Sequence, residues 1–316
     1  MEEQKKPLVM ILGPTASGKS ALSLRLAGQF KGEIISADSM QVYRGMDIGT
    51  AKLSKAEMLG IPHHLIDILD PAEKFSVADF ALEATSAIRN IDSRHKLPLV
   101  VGGTGLYMNA LINPYNLTDT GPRDGEYRLA LQAEFLQDGG LRLHQQLTEI
   151  DPVAAAKIHP HDSRRLLRAL EVYHFSGRPI SQLQQENKAP APYRLLMIGL
   201  TMGRERLHQR IAQRVEQMLH NGLTTEVEGL LQAGIGRDAQ SMQGIGYRHI
   251  AAYLYGEMTY GETVELIKRD TRHYAKRQYT WFKRDERIHW FNLDHYPEED
   301  MLVAEAALLL KTLEEE

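Results

Sequence analysis

The chain has 316 residues, a formal net charge of −4, and ordinary hydrophobic and charged fractions of 43% and 25%. This length supports one large core or two smaller ones, and the composition is typical of a globular protein. Cysteine is absent, which excludes disulfides, thiol nucleophiles and cysteine-ligated zinc. Because no stretch resembles a signal peptide or a membrane span, we expect a cytoplasmic protein with no membrane partner.

The first predicted elements enclose a phosphate-binding motif. Residues 8–12 form an apolar run that predicts a buried strand, and 21–26 predict the helix that follows. Between them, 13–20 read G-P-T-A-S-G-K-S and match the G-x-x-x-x-G-K-S phosphate loop at every fixed position. Backbone amides, the helix N-terminus and Lys19 suit an anionic phosphate chain, and Ser20 is placed to ligate magnesium. The motif does not say which molecule carries that chain.

Two further strand patterns predict an α/β fold. Residues 33–37 are a short β-like run that ends at Asp38, and 97–101 are a continuous apolar run followed by G-G-T-G. Between them, 76–91 place apolar residues on one side at helical spacing. This alternation predicts a P-loop core with a doubly wound parallel sheet, in which ligands bind at the carboxyl ends of strands. The phosphate loop, Asp38 and Thr104 lie near such ends, so one crevice is predicted to hold them.

The middle of the chain is predicted to be an inserted helical subdomain. Residues 113–125 and 187–193 are rich in proline, glycine and polar residues, as linkers are. Between these two linkers, 127–149 and 164–175 have helical patterns. We therefore place the inserted subdomain at 120–190.

An α/β pattern returns after the insertion. Residues 194–201 predict a further strand, followed by helices near 204–220 and 223–233 and a long C-terminal helical section. We therefore expect a single core built from 1–119 and 191–316.

Asp38 and Thr104 each allow two interpretations. A carboxylate beside a phosphate loop suits a general base or an outer magnesium partner, and it also suits a helix N-cap. For Asp38 the chemical roles fit the predicted site better, whereas for Thr104 the cap is the simpler interpretation. P-loop hydrolases usually carry an acid at the end of a second strand, but the strand at 97–101 ends in glycines. This disfavours a hydrolysing motor or switch and leaves a small-molecule kinase or a transferase that uses another diphosphate.

Basic residues are concentrated in three segments of this weakly acidic chain. Residues 268–289 contain eight basic and three acidic residues with four interleaved aromatics, which suits nucleic-acid binding or an amphipathic helix with a buried aromatic face. A second cluster, at 164–168, opens a helix of the predicted insertion. Arg210 and Arg214 share one helix face, which suits either a departing phosphate or a solvated surface. The clusters at 268–289 and 164–168, in a chain with a predicted phosphate crevice, point to nucleic acid as a candidate substrate.

Eight sequence blocks in a fixed order carry a resemblance to a known family. They are G-P-T-A-S-G-K-S at 13–20, I-S-A-D-S-M-Q-V-Y at 35–43, M-D-I-G-T-A-K at 46–52, V-G-G-T-G-L-Y at 101–107, D-P-V-A-A-A-K-I-H-P at 151–160, R-A-L-E-V at 168–172, G-I-G-Y-R at 244–248 and K-R-Q-Y-T-W at 276–281. Together they resemble the tRNA dimethylallyltransferase family, also called tRNA isopentenyltransferases. The phosphate loop alone is unspecific, whereas the ordered set is specific and spans nearly the whole chain.

The resemblance implies a reaction and its partners. A dimethylallyl group would pass from dimethylallyl diphosphate to N6 of adenosine 37, beside the anticodon of tRNA, with release of diphosphate. The implied cofactor is Mg²⁺, and the implied partners are the tRNA anticodon stem-loop and dimethylallyl diphosphate; we expect a monomer. The alternatives are an ATP-dependent small-molecule kinase with the same core and a non-catalytic RNA-binding module. Some relatives carry a C-terminal zinc finger, which this cysteine-free chain lacks.

The resemblance also implies the roles of individual residues. The implied catalytic residues are Asp38 as general base, Lys19, Thr104 and Arg214, with Arg210 as the alternative to Arg214 at the leaving diphosphate. The implied diphosphate cradle is Gly13, Pro14, Thr15, Ala16, Ser17, Gly18, Lys19 and Ser20, with Ser20 at the magnesium ion. The implied tRNA-binding residues are Asp38, Ser39, Met40, Gln41, Thr104, Arg128, Arg164, Arg165, Leu166, Leu167, Arg168, Gln243, Gly244, Ile245, Gly246, Tyr247, Arg248, Lys276, Arg277, Gln278, Tyr279, Thr280, Trp281, Phe282 and Lys283.

Overall fold

The computed structural model describes residues 5–113, 125–186 and 192–315. Its central feature is a parallel β-sheet. The strands within these ranges are β1 (Lys6–Leu12), β2 (Gly32–Ala37), β3 (His63–His64), β4 (Leu97–Gly102), β5 (Tyr193–Thr201) and β6 (Ile288–Asn292). Their order across the sheet is β3-β2-β4-β1-β5-β6, and each neighbouring pair is parallel. The predicted α/β class with a parallel P-loop sheet is confirmed.

Helices make up most of the remaining described chain. In order they are α1 (Lys19–Gln29), α2 (Val77–Ser93), α3 (Gly105–Ile112), α4 (Gly125–Asp138), α5 (Leu141–Ile150), α6 (Pro152–Ala155), α7 (Ser163–Ser176), α8 (Ile180–Glu186), α9 (Arg204–His220), α10 (Leu223–Gln232), α11 (Tyr247–Leu254), α12 (Tyr260–Phe282) and α13 (Glu299–Glu315). Over the described ranges, none of them combines the length and apolar character that crossing a membrane requires.

The chain divides into two compact units. One consists of Met1–Leu111 and Pro192–Glu316 and contains the sheet, and the other is Ile112–Ala191. The insertion that we place at 120–190 lies inside the second unit. Its described part is helical, with a core of leucines from α4, α5 and α7, among them Leu131, Leu143 and Leu166.

The prediction of one helix over 127–149 is wrong. The structure ends α4 at Asp138 and begins α5 at Leu141. Between them Gly139 and Gly140 have φ values of 70° and 90°, a left-handed conformation that a helix cannot contain. A Cβ on Gly140 would also lie 2.6 Å from the Pro160 carbonyl oxygen, so glycine is required where the two helices separate.

The carboxyl ends of the central strands meet at one edge of the sheet. Gly102, the last residue of β4, is in register with Leu12 of β1 on one side and Ala37 of β2 on the other. The strands are apolar along their length because both faces of the sheet are covered; Val9 and Ile11 pack with residues of α1 and α13. The segments that follow β1, β2 and β4 therefore leave the sheet side by side, as the predicted crevice requires.

The edge strands β3 and β6 were not predicted from the sequence. His63 and His64, which form β3, are both half-buried. The Nδ1 of His63 lies 2.8 Å from the Ile61 carbonyl oxygen, and the Nε2 of His64 lies 2.7 Å from a carboxylate oxygen of Glu33. Both strands are too short for a recognisable alternation of apolar residues.

Candidate active site

The phosphate loop joins β1 to α1 in a conformation that depends on glycine. Gly13 has a φ of 142°, and a Cβ there would lie 2.6 Å from the Leu200 carbonyl oxygen. Gly18 has a φ of 90° immediately before α1 begins at Lys19. The Lys19 ammonium donates a 2.7 Å hydrogen bond to the Pro14 carbonyl oxygen, which folds the side chain back over the loop. The loop therefore presents a helix N-terminus and a lysine at one end of a cavity.

A cavity of about 100 Å³ brings the main predicted residues together. Its polar wall includes Thr15, Lys19, Ser20, Asp38, Gln41 and Arg214. An apolar wall is contributed by Ile34, Leu53, Ile66 and Val101. The lining of the cavity thus combines cationic, polar and apolar residues, which suits a ligand that carries both phosphate and hydrocarbon.

The electrostatics of the cavity favour an anion. Burial lowers the pKa of Lys19 most strongly, the Arg214 guanidinium also lowers it, and Asp38 opposes them; together they take this pKa from 10.5 to about 7. Burial also lowers the pKa of Arg214, again with Asp38 opposing. Two cations and one carboxylate therefore share a poorly solvated space, and a bound oxyanion would stabilise the charged form of both cations.

Asp38 lines the cavity, as its chemical interpretations require, but the helix N-cap interpretation is wrong, because the next helix after β2 is α2, which begins at Val77. It follows the last residue of β2, and its Oδ1 accepts a 2.9 Å hydrogen bond from the Met40 backbone amide. The same carboxylate lines the cavity with Lys19 and Arg214. A local turn therefore fixes the aspartate while it faces the phosphate loop.

Arg214 and Arg210 approach the loop from successive turns of α9. Arg214 lines the cavity. The Nη2 atom of Arg210 lies 3.9 Å from the position that a Cβ on Gly18 would occupy. Both guanidinium groups are therefore close to the loop, but Arg214 is the one inside the cavity.

Thr104 is not among the residues that line the cavity. Its carbonyl oxygen accepts hydrogen bonds from the amides of Tyr107 and Met108, so it begins α3 as a cap residue would. Its buried hydroxyl lies near the hydroxyl of Tyr274, whose pKa is raised to about 12, mainly by burial and also by the charge of Asp38. Tyr274 also lines the cavity and was not identified from the sequence.

Gln278 has a different environment from the one that the tRNA-binding assignment implied. Its side chain is 7% exposed. Its Oε1 accepts a 2.9 Å hydrogen bond from the Thr15 amide, and its Nε2 donates a 3.0 Å hydrogen bond to the Gly103 carbonyl oxygen. Gln278 therefore ties α12 to the phosphate loop and to the end of β4, and this side chain is not available at the surface.

The other members of the predicted tRNA-binding set divide by exposure. Those exposed in the sheet-containing unit are Gln243, Arg248, Lys276, Arg277, Thr280, Trp281 and Lys283. Half-buried residues of the same unit are Ser39, Met40, Gln41, Ile245 and Tyr279. The buried ones are Gly244, Gly246, Tyr247 and Phe282, and in the helical unit Leu166 and Leu167. The side chains of Tyr247, Phe282, Leu166 and Leu167 belong to cores, so a surface contact assigned to these side chains is not supported.

Two of the four predicted arginines of the helical unit contact one buried carboxylate. Glu171 is 3% exposed, and its two carboxylate oxygens lie 2.8 and 2.9 Å from Nη1 of Arg128. Nη1 of Arg168 lies 3.7 Å from the same carboxylate, while Arg164 and Arg165 are exposed on α7. Glu171 therefore fixes two of the four arginines and leaves two at the surface.

Glu226 is a structural residue that the sequence did not reveal. Its carboxylate accepts hydrogen bonds from the amides of Asp47, Ile48 and Gly49 at 2.9, 2.7 and 3.1 Å, and from the Tyr247 hydroxyl at 2.6 Å. The segment after Asp38 is thus anchored to α10 and α11. No local pattern signals this contact, because the partners are almost 180 residues apart.

Comparisons with known proteins agree with one another. Residues 41–285 match the family model described as IPP transferase, and 6–69 match one described as isopentenyl transferase. The tRNA dimethylallyltransferase of Carboxydothermus hydrogenoformans is 53% identical over 286 residues, which cover 90% of this chain and 91% of the relative. The tRNA dimethylallyltransferase of Bacillus subtilis is 46% identical over 293 residues, with 93% of each chain covered.

Solved structures give the same result. The crystal structure of a full-length tRNA isopentenylpyrophosphate transferase from Bacillus halodurans matches with a TM-score of 0.75 and 48% identity, covering 98% of both chains. A eukaryotic dimethylallyltransferase crystallised while acting on tRNA matches with a TM-score of 0.83 and 30% identity, covering 97% of this chain and 80% of the other.

Proposed function

Because the chain belongs to the tRNA dimethylallyltransferase family, we propose that it transfers a dimethylallyl group from dimethylallyl diphosphate to N6 of adenosine 37 in tRNA. The observation that carries this proposal is the grouping of Lys19, Arg214 and Asp38 in one cavity with an apolar wall. The cations suit the diphosphate, the wall suits the five-carbon group, and the carboxylate suits the proton that the amine loses.

The phosphate loop and the two cations would act on the leaving group. As the bond between C1 of the allyl group and the diphosphate oxygen breaks, the electron pair and negative charge pass to the diphosphate. Lys19 and Arg214 line the cavity beside the loop, so they would stabilise this charge with little reorganisation when it forms. Removal of one such donor typically slows a reaction by about 10²–10³-fold.

Asp38 would accept the proton. The adenine N6 lone pair is delocalised into the ring and is a weak nucleophile, so it forms the new bond to C1 as the diphosphate departs. The nitrogen then carries an excess proton, which passes to the Asp38 carboxylate. The hydrogen bond from the Met40 amide orients that carboxylate.

Magnesium would be held at the loop. Ser20 supplies a hydroxyl oxygen on the cavity wall, and diphosphate oxygens and water would complete the oxygen shell that Mg²⁺ prefers. When bound, the ion supplies further neutralisation of the leaving diphosphate.

The basic surfaces would bind the anticodon stem-loop. On α12 the exposed residues Lys276, Arg277 and Trp281 offer two phosphate contacts and one aromatic face. On the helical unit, which we propose is an inserted subdomain, Arg164 and Arg165 are exposed and Arg128 is fixed by Glu171. The target adenine must leave the stack of loop bases, which requires less energy for an unpaired base than for a paired one.

Mass spectrometry of the reacted tRNA tests this function. The protein is incubated with a tRNA that carries A37, dimethylallyl diphosphate and magnesium, and the tRNA is digested and analysed. We expect one dimethylallyl mass increment on adenosine 37 and release of one diphosphate, without ATP. A parallel reaction with ATP in place of the prenyl donor tests the kinase alternative, and phosphorylation of an acceptor there would contradict the proposal.

A further inference from the structure

Gln278 connects three segments that are far apart in the sequence. It lies on α12, accepts a hydrogen bond from the Thr15 amide of the phosphate loop, and donates one to the Gly103 carbonyl oxygen after β4. Its side chain is 7% exposed, and both of its polar atoms are used. A buried amide with both ends satisfied holds its partners in a single arrangement.

Two glycines that follow β4, Gly103 and Gly105, leave the space that the α12 side chains occupy at this contact. A Cβ on Gly103 would lie 2.1 Å from Nε2 of Gln278, and a Cβ on Gly105 would lie 2.2 Å from the Trp281 ring. Neither glycine has a φ in the left-handed region. Their lack of side chains therefore makes room for α12, whose residues 278 and 281 lie one turn apart and pack on this segment.

We propose that Gln278 is a positioning residue that sets the phosphate loop for diphosphate binding by linking it to α12. The proposal rests on the proposed function, because it concerns the binding of the prenyl diphosphate donor. The Thr15 amide is held by Gln278, so the loop is fixed at Thr15, which lines the cavity. A loop fixed before binding loses less conformational entropy when the anion arrives.

Gln278→Met tests this role, since it keeps similar volume and removes both hydrogen bonds. We expect the Kd for inorganic diphosphate, measured by calorimetry without tRNA, to rise about tenfold, the effect of losing one or two buried hydrogen bonds. The KM for dimethylallyl diphosphate should rise by a similar factor. The Kd for the anticodon stem-loop should change less than twofold, because Lys276 and Arg277 remain. Gln232→Met, at an exposed position of α10, is the matched control and should change none of these values.

A double-mutant cycle with Gly103 isolates the contact. Gly103→Ala places a methyl group against Nε2 of Gln278 and should raise the diphosphate Kd about tenfold in the native background. In a Gln278→Ala background the same change has room, and its effect should fall below twofold. A general loss of folding would not produce this dependence on the background.

The outcomes separate this proposal from the proposed function. If the unsubstituted protein transfers the dimethylallyl group but Gln278→Met leaves the diphosphate Kd unchanged, the positioning role is refuted. A loss of stem-loop affinity equal to the loss of diphosphate affinity, or additive effects in the cycle, would also refute it. If the unsubstituted protein binds diphosphate but transfers nothing, the function fails while the diphosphate measurements still decide the role of Gln278.

Discussion

Lys19→Met should stabilise the ligand-free protein while abolishing diphosphate binding. Burial and the Arg214 charge lower the pKa of Lys19 from 10.5 to about 7, so the folded protein binds this proton less tightly than the unfolded chain does. The free energy of unfolding should then rise with pH between about 7 and 10.5, because the unfolded state holds more protons there. At about 1.4 kcal/mol per pKa unit, the penalty is about 4 kcal/mol at pH 7 and about 2 kcal/mol at pH 9.

The substitution also removes a favourable contact. The Lys19 ammonium donates a 2.7 Å hydrogen bond to the Pro14 carbonyl oxygen, a contact worth about 1 kcal/mol. The net gain on replacing Lys19 is therefore about 3 kcal/mol at pH 7 and about 1 kcal/mol at pH 9. Diphosphate at 1,000 times its Kd should reverse the order at both pH values, since it adds about 4.1 kcal/mol to the native protein.

Denaturant unfolding at pH 7 and pH 9, with and without inorganic diphosphate, measures these differences. Lys55→Met is the matched control, because Lys55 is exposed and does not line the cavity, and it should change stability by less than about 0.5 kcal/mol at either pH. A Lys19→Met variant that is less stable than the native protein at pH 7 would refute the reasoning. So would a gain that is the same at both pH values.

Three further predictions follow from the proposed site. Asp38→Ala should reduce kcat by about 10²–10⁴-fold, as expected for loss of a general base, while the Kd for the stem-loop stays unchanged; undiminished turnover would remove Asp38 from the chemistry. Lys276→Ala and Arg277→Ala should each weaken stem-loop binding and make the slope of log affinity against log salt concentration shallower by about 0.7–0.9. An unchanged slope would show that these residues do not contact stem-loop phosphates. Glu226→Gln should lower the free energy of unfolding by about 2 kcal/mol, and Tyr247→Phe by about 1 kcal/mol, in denaturant titrations; equal stability would contradict the anchoring role.

The central fold could be predicted because its signals are local. The apolar run before the phosphate loop, the loop itself and the run before Gly102 each occupy consecutive residues, and each became a strand or a loop where the pattern indicated. Asp38 could be placed because it follows such a strand directly. Parallel strands then bring these segments to one edge without further information.

Contacts between distant segments could not be predicted in the same way. Gln278 is 263 residues from Thr15, and Glu226 is 179 residues from Asp47. Neither residue belongs to a periodic pattern that would reveal its partner. The family resemblance placed Gln278 in a continuous tRNA-binding stretch, but a helix directs successive side chains to different faces, and this one points towards the phosphate loop and lines the cavity.

The end of β4 explains why this P-loop core is suited to transfer rather than hydrolysis. In P-loop hydrolases an acid at the equivalent strand end helps to hold magnesium. Here a Cβ on Gly102 would lie 2.4 Å from the Ala37 carbonyl oxygen, and one on Gly103 would meet Gln278. An acid at either position would displace β2 or α12. We therefore propose that Lys19 and Arg214 carry most of the protein's compensation for diphosphate charge, and that Asp38, which follows the neighbouring strand β2, accepts the proton from the nucleophile.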